Sequence, residues 1–268
     1  MNTISADWIR RSVSPITQKL LTRIEVFREI GSTNSYLLAA GKPMPGQMRV
    51  AIAEQQTAGR GRRDKQWYSP PDAGLWMSVA YSFTVRSANL SALTLAVGTA
   101  VANELADLGV SGVLLKWPND LLVDERKLGG ILLESCANGM TAIVGIGINM
   151  ALPNKADEHI RAVRKPIDLS SVLEVVPSVD ALAARVIERL RAALQKFDRD
   201  GFESFAPEWS RLDALAGREI VVNRAGIRET GIAEGIAPDG ALLLRNDAGL
   251  QRIVSGSVNI MDCEEAVA

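Results

Sequence analysis

The chain has 268 residues, 47% hydrophobic and 23% charged, with a formal net charge of -1. That is the composition of an ordinary globular protein, with enough chain for one large domain or for a large and a small one, each with its own core. The near-neutral balance argues against a protein built to coat nucleic acid, and no apolar run approaches the ~20 residues that span a bilayer. Residues 1–19 include Asp7, Arg10, Arg11 and Pro15 and lack the apolar stretch of a signal peptide. Two distant cysteines, Cys136 and Cys263, offer no disulfide framework, so a reducing cytoplasm is the expected setting. The single histidine, His159, follows the polar stretch 154–158 and is expected in a loop. Histidine-dependent nucleophile systems and His-rich zinc sites therefore lack their ligands. Catalysis would have to run on Arg, Lys, carboxylates, backbone amides or a carboxylate-held Mg²⁺, which points to phosphate chemistry.

Residues 24–30 read as a strand, after which Gly31-Ser32-Thr33-Asn34 opens a helix ending near Gly41. Ser32 or Thr33 is the natural N-cap. A second strand over 49–54 leads into Gly59-Arg60-Gly61-Arg62-Arg63, with Glu54, Gln55 and Gln56 before it and Trp67 after it. Glycine weakens regular structure and arginine resists burial, so this segment is a loop. Three readings stand for it: a solvated basic loop, an Arg/Gly nucleic-acid patch, or a clamp that grips an anion with guanidinium forks. Leu75, Met77, Val79 and Tyr81 alternate with smaller or polar residues, predicting a strand with one buried face. Leu93, Val97, Val101, Leu105 and Leu108 recur at helical spacing after Ser91, and Gly109 supplies the stop. Extended segments follow over 113–117, 131–134 and 142–148. Pro177-Ser178 opens the longest helix, with Leu182, Val186, Leu190, Ala193 and Phe197 along one face before Gly201. Past Leu215 the pattern changes to β-like runs at 219–223, 228–236, 241–245 and 251–254, divided by Ala225-Gly226, Pro238-Asp239-Gly240 and Ala248-Gly249. Such close turn spacing predicts a small all-β barrel beginning near Ala216.

Three further motifs carry chemistry. Lys116-Trp117-Pro118-Asn119-Asp120 sets a cation, an aromatic, an amide and a carboxylate at the end of a strand that Pro118 breaks. Alone it also reads as a polar turn. Arg126-Lys127-Leu128-Gly129-Gly130 puts Lys127 just before a strand, and a simple hairpin connection would look the same. Gly145-Ile146-Gly147-Ile148-Asn149-Met150 begins like a dinucleotide fingerprint but never completes it, and no Walker A sequence occurs.

Taken together, these segments resemble the biotin protein ligases, also called biotin–[acetyl-CoA carboxylase] ligases. The resemblance rests on Gly31-Ser32-Thr33-Asn34, on residues 53–63 with Trp67, on Lys116-Trp117-Pro118-Asn119-Asp120, on residues 127–132 with Glu134, and on residues 145–150. The motifs occur in the family's order, from about residue 24 to residue 260. The resemblance implies an α+β fold. Residues 1–215 would form a mixed-sheet catalytic domain of the biotin/lipoate ligase type, and residues 216–268 a small SH3-like β-barrel. It implies an ATP-dependent ligase that makes biotinyl-5′-adenylate and passes the biotinyl group to a lysine of biotin carboxyl carrier protein. Biotin and ATP would be the substrates and Mg²⁺ the metal.

By the same resemblance, Ser32, Thr33, Asn34 and Gln56 would bind the ureido head of biotin, and Arg60, Gly61 and Arg62 would close over biotin and adenylate. Lys127 would reach the carboxylate or the α-phosphate, making Arg62 and Lys127 the catalytic pair. Arg63, Trp67, Lys116, Asn119 and Asn149 would hold the nucleotide with Arg62. Asp120, as a carboxylate, is the candidate to help position Mg²⁺. This chain departs from the family at Asp64-Lys65-Gln66, where a glycine and another basic residue are usual. The region holding Arg164-Lys165-Pro166-Ile167-Asp168 lacks the tryptophan that often covers the adenine. About 23 residues precede the first predicted strand, too few for the DNA-binding domain that some relatives carry, so no DNA contact is expected. A homodimer through the central sheet is expected by resemblance alone. The rival readings are a lipoate or octanoate ligase or transferase of the same superfamily, and a non-catalytic nucleic-acid-binding module.

Overall fold

The computed structural model describes residues 3–85, 89–136, 139–154, 156–160, 165–224 and 226–261. Arg164, Ala225 and Cys263 lie outside the described residues. Two short helices that periodicity did not reveal come first, α1 (Ala6–Ser12) and α2 (Pro15–Leu20). Each starts on a serine cap: Ser5 Oγ accepts from Trp8 N–H and Ser14 Oγ from Thr17 N–H. Strand β1 (Leu21–Ile30) then begins three residues before the predicted strand, and α3 (Thr33–Ala39) follows with Ser32 as its N-cap. Next come β2 (Met48–Gln56), β3 (Gly74–Ser82), α4 (Leu93–Asp107), β4 (Leu114–Lys116), β5 (Asp120–Val123), β6 (Arg126–Ser135) and β7 (Thr141–Asn149).

These seven strands form one sheet in the order β1-β2-β3-β7-β6-β5-β4. The β1–β2 pair is parallel and the remaining pairs are antiparallel, which makes the sheet mixed, as expected. On one face Val50, Ile52, Met77, Val79, Val144 and Ile146 pack with α4 and with α6 (Val179–Asp200) into the main core. On the other face Ala51, Ala80 and Ile143 meet Leu37 of α3 in a smaller cluster. All nine residues of β3 are therefore buried, where the alternation predicted one buried face. The small residues read as solvent-facing lie beneath α3 instead.

A short helix, α5 (Ala156–His159), occupies the stretch expected to be a loop, and α7 (Ala206–Leu212) follows α6. The C-terminal strands are β8 (Glu219–Arg224), β9 (Ile227–Ile236), β10 (Leu242–Asn246), β11 (Gly249–Ile253) and β12 (Ser257–Ile260). They make an antiparallel sheet in the order β11-β10-β9-β8-β12. Its outer strands do not pair with one another, so the sheet stays open rather than closing into a hydrogen-bonded barrel. Ties to the first unit come from Trp117 Nε1, which donates to the Gly240 carbonyl at 3.0 Å, and from Ser91 Oγ, which donates to that of Asp239 at 3.2 Å. Arg218 and Glu125 add an ion pair at 2.7 Å. No helix among the described residues is long and apolar enough to cross a membrane.

Glu188 fastens the N-terminal helices to α6. Its carboxylate accepts from Ser14 N–H and Ser14 Oγ at 3.0 Å each and from Arg191 Nη2 at 2.7 Å. Burial raises this carboxyl, but the hydrogen bonds, that of Arg191 first, outweigh it and hold it down at about 2. A carboxyl depressed in the folded state stabilises above its unfolded value of 4.5, and that stabilisation is lost as pH falls towards about 2. Glu188→Gln should lower the melting temperature by roughly 2–4 °C at about pH 7, and by less at about pH 3. Thermal melts at the two pH values check this, and an equal gap at both would show that the charge contributes nothing.

Candidate functional site

The face of the sheet beside α3 carries a cleft of about 1070 Å³. Its floor is bare backbone, because Gly130 on β6 pairs with Gly147 on β7, with Gly145 two residues further along. A Cβ on Gly145 would stand 2.4 Å from Asn34 Oδ1, and one on Gly147 would stand 2.6 Å from Trp67 Nε1. The incomplete dinucleotide-like GxG is thus a stretch of strand, cleared of side chains so that Asn34 and Trp67 can lie against it.

A polar wall rises at one end. The buried Ser32 caps α3, and Gln56 Oε1 accepts from Thr33 N–H at 2.9 Å and from Thr33 Oγ1 at 3.2 Å. Thr33 Oγ1 also lies 2.6 Å from Ser78 Oγ, which in turn donates to Asn34 Oδ1 at 2.6 Å. Asn34 Nδ2 then donates to Glu134 Oε2 at 2.9 Å. All four predicted head-group residues line the cleft together with Ser78, which the sequence reading missed. Its one signal was a small hydroxyl amid the apolar residues of β3.

The basic loop closes over this wall as a tight hairpin. Trp67 N–H donates to the Gly59 carbonyl at 2.9 Å, Gly61 N–H donates to that of Lys65 at 2.7 Å, and Arg60 and Gln66 form a bridge. Arg63 and Asp64 have φ of 54° and 58°, left-handed values that a glycine would adopt with less strain. The departure at Asp64 therefore falls where the turn itself favours glycine, and aspartate is among the side chains that tolerate it. Arg60 pairs with Glu134 at 2.9 Å, and Arg63 Nη1 donates to the Asn223 carbonyl on β8 at 3.3 Å. Arg62 is half-buried and has neither an ion-pair nor a hydrogen-bond partner for its guanidinium among the described residues. Burial, reinforced by the charge of Arg63, pushes this guanidinium below its ordinary value, with Asp120 opposing. A cation set so is short of a counter-charge, which an anion in the cleft would supply.

Lys127 approaches from the opposite side. Its Nζ lies 2.6 Å from Asp120 Oδ1 and 5.1 Å from the centre of the Trp67 ring. The β5–β6 register shifts so that Leu121 faces Gly129 while Leu122 faces Lys127. Leu128, left out of the pairing, turns fully into the core, and Lys127 reaches the cleft. Plain alternation from Gly130 would have given the reverse.

Two predicted nucleotide ligands are engaged in scaffolding. Asn149 Nδ2 donates to the carbonyls of Ile167 and Lys127 at 3.0 and 3.3 Å, and Asn119 Nδ2 donates to that of Ile131 at 3.0 Å. Both residues line the cleft, as do Lys116 and Asp120. No three His, Cys, Asp or Glu side chains gather to hold a metal among the described residues. His159, expected away from the site, also lines it, with its ring stacked on Tyr68 at 4.6 Å. Residues 256–260 of the C-terminal sheet complete the rim.

Residues 26–150 match the model of the biotin/lipoate A/B protein ligase family, and residues 216–261 match that of the biotin protein ligase C terminal domain. The chain is 34% identical over 248 residues to the bifunctional ligase/repressor BirA of Escherichia coli, covering 90% of this chain and 75% of that protein. It is 32% identical over 246 residues to the biotin–[acetyl-CoA-carboxylase] ligase of Paracoccus denitrificans, covering 85% of this chain and 96% of that one. The biotin protein ligase of Aquifex aeolicus, solved with biotin and ATP, superposes with a TM-score of 0.77 at 26% identity, covering 90% of this chain and all of that one. With two matching domain models in chain order and relatives this similar over most of its length, the chain belongs to the biotin protein ligases.

Proposed function

We propose that this ligase condenses biotin with ATP and delivers the biotinyl group to a biotin carboxyl carrier protein. The observation that carries the reading is one cleft with a neutral hydrogen-bonding wall at one end and, beside Lys127 at the other, a cation, Arg62, whose guanidinium has no ion-pair or hydrogen-bond partner among the described residues. A ureido ring is uncharged and rich in donors and acceptors, which suits the hydroxyl and amide groups of Ser32, Thr33, Asn34 and Gln56. The substrate carboxylate would then lie towards Lys127 and Arg62, where a second anion, the α-phosphate, must also come. A carboxylate oxygen attacks the α-phosphorus, the bond to the β-phosphate breaks and pyrophosphate leaves. The carrier lysine amine next attacks the acyl carbon, AMP departs and the amine gives up a proton. Bringing two anions together requires fixed positive charge, which Arg62 and Lys127 provide without reorganisation.

Arg60, Gly61, Arg63, Trp67, Lys116, Asn119 and Asn149 surround the nucleotide in this reading, and the amides of Asn119 and Asn149 also hold the strands that carry Ile131 and Lys127. Mg²⁺ is usually held by one or two carboxylates and the phosphates of its nucleotide, so Asp120 suffices on the protein side. Bound there, it would neutralise phosphate charge. We read residues 1–215 as the catalytic domain and residues 216–268 as a second domain whose β12 borders the nucleotide end. The family match at residues 216–261 and the names of the relatives favour biotin over lipoate.

The protein alone should catalyse exchange of pyrophosphate into ATP that depends on biotin. Exchange equally fast without biotin, or seen only with lipoate or octanoate, would refute the assignment. Lys127→Ala should slow this exchange by about a hundredfold while changing ATP affinity little, since its charge matters most where the two anions meet. Wild-type rates would reduce Lys127 to a hairpin residue. Arg62→Gly should retain measurable exchange yet release adenylate, because the grip on the phosphate and the exclusion of water are both weakened. Mixing this variant with biotin, ATP and serum albumin should label the albumin. Albumin as unlabelled as with wild type, despite exchange, would mean that Arg62 does not retain the intermediate.

A further inference from the structure

The polar wall and the basic loop are a single hydrogen-bonded circuit. It starts at the Trp67 carbonyl, which accepts from Ser69 Oγ at 3.2 Å, and Ser69 Oγ accepts from Gln56 Nε2 at 2.9 Å. From Gln56 Oε1 it passes to the Thr33 N–H, from Thr33 Oγ1 to Ser78 Oγ, and through Asn34 to Glu134, ending on Arg60. Trp67 and Arg60 are the two stems of one hairpin, so the circuit leaves the loop on one side and re-enters it on the other. Glu134 is the member that joins neutral wall to charged loop. Its Oε2 accepts from Asn34 Nδ2 at 2.9 Å and from Arg60 Nη1 at 3.2 Å, while its Oε1 pairs with Arg60 Nη2 at 2.9 Å.

That carboxylate has two tasks. With Asn34 Oδ1 committed to Ser78, the amide must present its Nδ2 to an acceptor, and Glu134 fixes that orientation. The Arg60 side chain is 44% exposed against 19% for Glu134, so their pair is partly screened and weak enough to open. We propose that Glu134 is a positioning residue that sets the Asn34 amide for the substrate head group and latches the Arg60 loop by its charge. The assignment of the head group rests on the biotin reading above. The latch does not.

The test uses the full chain with Glu134→Gln and Glu134→Ala. Glutamine can still accept from Asn34 through its oxygen, but it brings no charge to Arg60 and sets an NH2 donor against Arg60 Nη2. Glu134→Gln should bind biotin by calorimetry within about twofold of wild type, since one hydrogen bond is kept. Its loop should open, so trypsin should cut after Arg60, Arg62 or Arg63 several-fold faster. Wild type should approach that rate as salt is raised, whereas Glu134→Gln should respond little to salt. Glu134→Ala should also cut fast and should weaken biotin binding on the order of tenfold, because the Asn34 amide loses its nearer acceptor and keeps only the Leu132 carbonyl at 3.5 Å. Unchanged cleavage in Glu134→Gln would overturn the latch, and unchanged biotin affinity in a folded Glu134→Ala would overturn the head-group role. Should Glu134→Ala fail to fold, a biotin affinity of Glu134→Gln weakened tenfold or more would overturn that role in its place. A wild type that binds no biotin would refute the functional reading, while the ligand-free cleavage assay would still decide the latch.

Discussion

The site depends on a stretch of sheet that has no side chains. At Gly145 and Gly147 a single Cβ would collide with the Asn34 amide or the Trp67 ring, so neither could lie where it does. With them would go the head-group wall and one stem of the basic loop. Alternation lets the same strand serve two ends. Val144, Ile146 and Ile148 of β7 point into the main core, fixing the strand by burial, while the residues between them leave the opposite face open. The cleft is therefore rigid below and adjustable above, an arrangement suited to a ligand that must be covered after it enters.

Charge is sorted across that floor. The wall residues Thr33, Ser78, Asn34 and Gln56 are uncharged and largely satisfy one another, with the Asn34 amide reaching out to the Glu134 carboxylate. Cations gather at the other end, where Lys127 has Asp120 as partner and Arg62 has none among the described residues. That asymmetry separates binding from chemistry. A neutral ring can dock without disturbing an ion pair, and the unpaired charge stays available for the groups that carry negative charge in the reaction.

The main elements were legible because they depend on local signals, apolar periodicity, serine caps and turn glycines, whereas Ser32, Thr33, Asn34 and Gln56 were singled out by family resemblance and lie together in the cleft. α1 and α2 escaped because six or seven residues are too few for a period to show, although Ser5 and Ser14 mark both starts. The aim of Lys127 was hidden by the register shift at Leu128, which depends on how β5 meets β6 rather than on the identity of either residue. The bonds that Asn119 and Asn149 make were hidden for a related reason: nothing in the sequence shows that their Nδ2 atoms meet neighbouring carbonyls at the edge of the cleft. His159 was placed outside the site because its sequence neighbours are polar, yet its stacking partner, Tyr68, lies 91 positions earlier in the chain.

Trp117 ties the cleft to the second unit. It is buried, and its indole N–H is committed to the Gly240 carbonyl in the C-terminal sheet. All five residues of that motif line the cleft, and Trp117 also bolts the second unit in place. The bolt matters because residues 256–260 form part of the rim and because Arg63, at the tip of the basic loop, donates to Asn223 on β8. The loop that covers the floor is thus tied at its base to Glu134 in the central sheet and at its tip to the C-terminal sheet. Movement of the second unit away from Trp117 would withdraw one of the loop's two anchors. The C-terminal sheet is therefore part of the lid as well as part of the wall.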